Sequence, residues 1–161
     1  MTVAGVIARS NRGPLDSALD QLMVKHGAKF DWAWEFDADV LARLPAVTIR
    51  PTLEYDAKPH KLSSPLLSSV GEAAGVAAGA SVMLGLRALD GYTVARRLAD
   101  AGSYRMVVAT TLDGVPMSVG GLGPLWAVVD ADRLPAFKDR PLKERFALCP
   151  WGLYFIDVKP L

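Results

Sequence analysis

The sequence contains one cysteine and two histidines among 161 residues. A single cysteine excludes an intramolecular disulfide and every metal site that needs several thiolates. Cys149 is predicted to be a small buried residue beside Pro150 and Trp151, because no clear concentration of positive charge near it would lower the pKa of its thiol. Neither His26 nor His60 belongs to a helical metal-binding motif, so no metal ligand is predicted.

The chain also lacks an excess of charge, with 18 Lys and Arg against 17 Asp and Glu. These charges are scattered, whereas nucleic-acid binding needs a concentrated basic face, so this class of partner is excluded. No apolar run reaches the length of a membrane-spanning helix. The first residues show no charged and apolar pattern of a secretory signal peptide.

What the chain does have is apolar residues, which make up 51% of the sequence. Its length suits a single domain, residues 1–161, that buries roughly two thirds of its unfolded surface. Because short strands outnumber short helices, the predicted fold class is α+β, with mixed, barrel-like β-sheets and short peripheral helices. Strands are predicted at 2–7, 47–53, 81–89, 105–112, 124–129 and 151–158, and helices capped by Asp16, Asp37, Ser64 and Thr93.

The most distinctive segment runs from residue 112 to residue 126. Asp113-Gly114 predicts a tight turn between two strands, because glycine accepts a positive φ without steric cost. Three more glycines follow it: Gly120, Gly121 and Gly123. Their unobstructed amides could let a flat or anionic ligand approach the backbone, or the loop could be a bent crossover, which the local pattern favours.

This segment reads Asp113-Gly114-Val115-Pro116-Met117-Ser118, then a loop, then Gly123-Pro124-Leu125-Trp126. It resembles the closing part of the sulfite-oxidase-type molybdopterin-binding domain in its small, stand-alone bacterial form, where Asp-Gly-x-Pro-Leu-Ser and Gly-Pro-Leu-Trp lead into a strand. Residues 151–158 resemble that family's last, Trp-containing strand and residues 3–7 its opening strand, with weaker likeness at 65–67 and 90–94. Residues 52–55, Thr-Leu-Glu-Tyr, lie where catalytic members carry Thr-Leu-Gln-Cys.

The resemblance implies a sulfite-oxidase-type fold, with molybdopterin as the cofactor if one is bound. It does not extend to sulfite oxidation, because Tyr55 takes the position of the cysteine thiolate that binds molybdenum, and a phenol is a poor replacement. The Arg-Asp-His cluster that holds the pterin in catalytic members corresponds to residues 119–121, and a further arginine to Trp126. No cofactor is therefore expected. Because relatives are commonly exported, the resemblance also implies a periplasmic or secreted protein whose signal peptide has been removed from this sequence.

The densest polar cluster lies where the family places its active centre: Glu54, Tyr55, Asp56 and His60. In a functional site, the phenol would donate, a carboxylate would accept and the imidazole would titrate near neutrality. Strand alternation puts Glu54 and Tyr55 on opposite faces, which favours the other interpretation, a solvated strand end running into a turn.

Aromatic residues alternate along residues 30–36, so all four share one face if the segment is extended. Such a stripe usually packs on the core. If it were partly uncovered, it would form a wall, with Tyr55 and Trp126 nearby, for a flat ligand or a partner protein.

These patterns predict a non-catalytic binding module for a small anionic or pterin-like ligand or a partner protein, with no nucleic-acid partner and no membrane span. One alternative is a molybdopterin-dependent oxidoreductase with an atypical metal ligand shell, and another is a structural or signalling interaction protein. No catalytic residue is predicted. Ligand contacts are predicted at seven residues: Arg50, Tyr55, His60, Gly120, Gly121, Gly123 and Trp126.

Overall fold

Strands make up most of the regular structure in the computed structural model, which describes residues 1–161. The strands are β1 (Thr2–Gly5), β2 (Ala33–Glu35), β3 (Ala46–Ile49), β4 (Leu62–Pro65), β5 (Val82–Ala88), β6 (Thr93–Arg97), β7 (Val107–Ala109), β8 (Thr111–Leu112), β9 (Val115–Pro116), β10 (Trp126–Val128) and β11 (Leu153–Pro160). The helices are α1 (Gln21–Lys25), α2 (Ala38–Arg43), α3 (Leu67–Ala73) and α4 (Leu98–Ser103), with one 3₁₀ turn at Leu142–Glu144.

The largest sheet has five strands in the order β2-β1-β11-β5-β6. β1 runs parallel to β11, with Thr2 opposite Phe155, while the other neighbours are antiparallel. Along β5, every second residue from Val82 to Ala88 is buried, which is the period-2 pattern of a strand with one face on the core. β11 therefore holds together two halves of the sheet that are distant in sequence.

Two smaller antiparallel sheets complete the fold, β3-β4-β8-β9 and the pair β10-β7. The prediction of a mixed α+β fold with short helices is confirmed. The barrel-like arrangement is not formed, because none of the three sheets closes on itself. β7 approaches the end of β4 through an isolated bridge between Leu66 and Val107.

The main core is one cluster of 32 buried residues that lies between the sheets. Its largest member, Trp126, is 0% exposed. A second cluster of five buried residues contains Phe155, which is 1% exposed. Trp126 comes from the Gly-Pro-Leu-Trp segment, so this segment contributes a core residue.

The helix predicted after Asp37 is confirmed. The Asp37 carboxylate accepts a hydrogen bond from the Val40 amide at 2.7 Å, and Leu41 is buried beneath the helix. The helix predicted after Asp16 begins later, at Gln21, because Asp16 caps only an isolated turn through the amides of residues 18 and 19. Leu19, which lies in this isolated turn, is 82% exposed.

Helices were predicted to begin at Ser64 and at Thr93, and both predictions are wrong. Ser64 lies within β4, where its buried hydroxyl accepts a hydrogen bond from the Thr110 amide at 3.1 Å, and the helix begins at Leu67. Thr93 opens β6, which pairs with β5 through Arg87. In both places a neighbouring strand offers a ladder of backbone hydrogen bonds that outweighs the local capping preference.

Among the helices of the structure, none has both the length and the apolar character needed to cross a bilayer.

Candidate ligand-binding site

Residues 51–60 form a tight hairpin-like loop with Tyr55 at its tip. The Leu53 amide donates to the Lys58 carbonyl at 2.9 Å, and the His60 amide donates to the Pro51 carbonyl at 3.1 Å. The buried Leu53 side chain anchors the base of the loop in the core. Because the chain reverses here and does not continue as a strand, the predicted alternation is wrong, and Glu54 and Tyr55 line the same cleft.

This aromatic cleft has a volume of about 290 Å³. Its walls carry Tyr55, Tyr92 and Trp151, which are 54%, 50% and 42% exposed. The remaining lining consists of Glu54, Asp90, Ala88, Phe146, Ala147, Cys149 and Pro150. Only four large aromatic side chains are exposed in the whole chain, and three of them meet in this one cleft. Such convergence of exposed aromatic surface is typical of binding sites.

The charged groups of the cleft are both acidic. Glu54 and Asp90 line it, neither takes part in an ion pair, and no lysine, arginine or histidine is part of the lining. Burial, followed by the neighbouring Glu54 carboxylate, raises the pKa of Tyr55 to about 12. The phenol therefore stays neutral near pH 7 and offers a ring face and a hydroxyl group.

Trp126 and Cys149 form the support beneath this cleft. The Trp126 ring lies 6.5 Å from the Tyr55 ring and 5.7 Å from the Phe146 ring, between centroids. Its indole N–H donates to the Cys149 carbonyl at 2.8 Å. Trp126 is fully buried and is not part of the cleft's lining, so it supports the cleft from below.

Cys149 is brought to Tyr55 by the fold, although the two residues are far apart in sequence. It is 5% exposed, and burial raises the pKa of its thiol to about 12. The predicted buried, unreactive thiol therefore fits this environment.

His60 lies on the other side of the loop tip, away from the aromatic walls. Its Nδ1 is 2.6 Å from an oxygen of Asp113, and its Nε2 is 2.9 Å from an oxygen of Asp56. The two carboxylates, Asp113 first, raise the pKa of His60. The Lys61 amide and then His60 lower the pKa of Asp113, and His60 lowers that of Asp56. His60 therefore fastens the loop to the Asp113-Gly114 turn instead of facing a ligand.

Arg50 is exposed, and its backbone amide lies 3.4 Å from the Asp130 carboxylate. The structure does not bring its side chain into the aromatic cleft.

The glycine-rich loop is folded on itself. The amides of Gly121 and Gly123 donate to the Ser118 carbonyl at 3.2 and 3.1 Å, so neither is free for an anion. Gly120 has φ +97°, and a Cβ at Gly123 would lie 2.2 Å from the Met117 carbonyl oxygen. The glycines therefore permit a tight crossover, the interpretation that the local pattern favoured.

The end of this loop borders a different cavity of about 490 Å³ beside α2. Its polar lining consists of Asp37, Asp39, Thr110, Thr111 and Tyr154, and it contains no lysine or arginine. The structure therefore separates the predicted contact residues into four places: the aromatic cleft with its support, the His60 contact, the crossover and the exposed Arg50.

The aromatic stripe at residues 30–36 is not continuous. Only Ala33–Glu35 pair as a strand, Trp32 is 51% exposed, and Phe36 is buried at 3%. Trp32 is absent from the lining of the aromatic cleft. The predicted wall of the ligand site is instead made by Tyr92 and Trp151, which the sequence analysis did not select.

The signals that could have found them were weak. Asp90-Gly91 is a turn dipeptide of the same kind as Asp113-Gly114, and it predicts the hairpin that carries Tyr92. Trp151 has no comparable local signal, because its role depends on where the start of β11 meets the loop tip.

No protein-family model matches this chain, and no curated protein matches it either.

Proposed function

We propose that the protein is a non-catalytic binding module with a sulfite-oxidase-type fold, and that its aromatic cleft accepts a small, flat ligand such as a pterin-like ring. The observation that carries the proposal is the meeting of Tyr55, Tyr92 and Trp151 around one cleft of about 290 Å³. Exposed aromatic faces stack favourably on flat rings, and this volume suits a small molecule.

Three elements support the proposed fold. The Asp113-Gly114 pair turns between β8 and β9, residues 123–126 lead into β10, and Trp151 precedes β11. These are the positions at which the family pattern places its turn, its Gly-Pro-Leu-Trp segment and its last strand. Export to the periplasm is part of the proposal and rests on the resemblance alone, so fractionation of cells that express the natural gene tests it.

Between the predicted ligands, the geometry favours a flat ring over a small anion. Glu54 and Asp90 would repel an anion, and no basic side chain lines the cleft to compensate. A pterin-like ring instead presents N–H groups that can donate hydrogen bonds to a carboxylate.

The residues present do not fit molybdopterin. This cofactor carries a phosphate, and neither the aromatic cleft nor the cavity beside α2 has a lysine or arginine in its lining. A soft thiolate ligand is also missing, because Cys149 is buried as a neutral thiol. We therefore derive no reaction step through the cofactor. Elemental analysis of protein produced in a molybdenum-competent host tests the oxidoreductase alternative, which stoichiometric molybdenum would favour.

The alternative of an interaction protein rests on Trp32, which is 51% exposed outside the cleft. If Trp32 were the functional surface, its loss would abolish function while changes in the cleft would not. Trp32 therefore serves as the matched control for Trp151.

The experiment is a titration with unsubstituted pterin, followed by tryptophan fluorescence and calorimetry. We expect saturable binding that Trp151→Ala weakens about tenfold or more, the size of a lost ring stack. Trp32→Ala should bind like the parent protein. Absence of saturation up to about 1 mM, or equal effects of the two substitutions, would contradict the proposal.

A further inference from the structure

We propose that the aromatic cleft is selective for an organic cation, namely a small molecule with a quaternary ammonium head group. This inference rests on the proposed binding function and names the ligand class of the same site. It follows from three properties of the cleft taken together: its aromatic faces, its carboxylates and the absence of cationic side chains from its lining.

The aromatic faces come from three separate segments of the chain. Tyr55 lies at the tip of the 51–60 loop, Tyr92 in the turn between β5 and β6, and Trp151 just before β11. The face of an aromatic ring carries negative potential, and tryptophan attracts cations most strongly. All three rings retain a large exposed fraction, so a ligand can reach them without displacing a core residue.

At least one of these rings is held in place before any ligand arrives. The Tyr92 hydroxyl donates to the Ala147 carbonyl at 2.7 Å, and its backbone amide donates to the Asp90 carboxylate at 2.9 Å. These two bonds fix both ends of the residue. Binding therefore costs less side-chain entropy at Tyr92 than it would at a freely rotating residue.

The carboxylates determine the sign of the preferred charge. Glu54 and Asp90 face the cleft without an ion-pair partner. The guanidinium of Arg96 does not line the cleft, although its charge acts to lower the pKa of Cys149 in the lining. It lies 3.4 Å from the Leu148 carbonyl and 5.9 Å from the centre of the Tyr104 ring. A cation would therefore gain from both acidic groups without an opposing charge in the lining.

The same features favour an organic cation over a metal ion. Calcium and magnesium take six or more oxygen ligands, and no group of three or more metal-binding side chains occurs in the structure. A quaternary ammonium group has no N–H to satisfy and is solvated by aromatic faces. The volume of about 290 Å³ suits such a head group.

The experiment compares choline with its neutral isostere 3,3-dimethyl-1-butanol, in which carbon replaces the charged nitrogen. Binding to the intact chain is measured by calorimetry and by tryptophan fluorescence, at constant ionic strength. We expect choline to bind about tenfold or more tightly than the isostere. The isosteric changes Glu54→Gln and Asp90→Asn should each weaken choline binding by about three- to tenfold. Trp151→Ala should weaken it at least as much, and Trp32→Ala should not.

The outcomes separate this inference from the proposed function. Equal binding of choline and the isostere, or binding of pterin without choline, would overturn the charge selectivity while leaving a ligand-binding cleft. Choline binding that Trp151→Ala, Glu54→Gln and Asp90→Asn all leave unchanged would place the cation elsewhere and overturn the inference. If neither pterin, choline nor the isostere binds, both the inference and the proposed function fail.

Discussion

Replacement of Trp126 by phenylalanine is expected to lower the free energy of unfolding by about 2–4 kcal/mol. The indole N–H is the only protein donor to the Cys149 carbonyl, at 2.8 Å, and the ring is completely buried. Loss of that donor leaves a buried carbonyl unpaired, which costs about 1–3 kcal/mol. The smaller ring also gives up contacts with Tyr55 and Phe146 and leaves a void, which adds about 1 kcal/mol or more.

The assay is urea unfolding of Trp126→Phe beside Trp32→Phe, followed by far-UV circular dichroism so that the loss of a fluorophore does not affect the signal. Trp32 is 51% exposed, and its substitution should change the free energy of unfolding by no more than about 0.5 kcal/mol. A loss below about 1 kcal/mol for Trp126→Phe would refute the assigned role of the hydrogen bond. Equal losses for the two variants would refute the assigned difference in burial.

Three further predictions test individual groups. Burial raises the pKa of Cys149 from 9.0 to about 12, so the fraction of thiolate in the native protein is about a thousandfold below that of an ordinary thiol. A disulfide reagent should therefore modify Cys149 only after unfolding. Rapid modification of the native protein would contradict this. The pKa of His60 is raised in the folded protein, so the stabilisation from His60 should be complete below pH 6.5 and lost as the pH rises through the higher folded value. If the difference in the free energy of unfolding between the parent protein and His60→Ala stays constant as the pH rises above 6.5, this prediction is wrong. Asp37→Ala should cost about 1 kcal/mol because it removes the cap on the Val40 amide, whereas Asp39→Ala in the same first turn should cost less than half of that in thermal unfolding.

The elements that could be predicted from sequence were those with their own local instruction. Asp37 caps α2 as expected, and Asp113-Gly114, with φ of +51° and +83°, forms the turn that the dipeptide indicates. In both cases the deciding interaction lies within a few residues of the chain. Ser64 and Thr93 had equally good capping chemistry, but the strands that pair with them, β3 and β5, lie outside their own segments.

The candidate site was predictable only in part, for the same physical reason. Tyr55 was selected from its position in the resemblance, and the structure places it in the cleft. Tyr92, Cys149 and Trp151 reach that cleft because a hairpin and the start of a central strand meet the loop tip. No spacing in the sequence encodes such a meeting of three distant segments. His60 shows the opposite: it lies in the same loop as Tyr55, yet its side chain contacts Asp113 and Asp56 and does not line the cleft.

The parallel pairing of β1 with β11 has a consequence for the order of events during synthesis. β1 is made first, yet its partner is separated from it by most of the chain. At typical elongation rates, roughly 10–30 s pass before β11 is made. During that interval one edge of β1 has no strand beside it, and the five-stranded sheet can form only after residues 153–160 have left the ribosome. The nascent chain is therefore exposed to mispairing for longer than a protein whose first strands pair with each other, and a ribosome-bound fragment that ends before β11 should remain sensitive to protease.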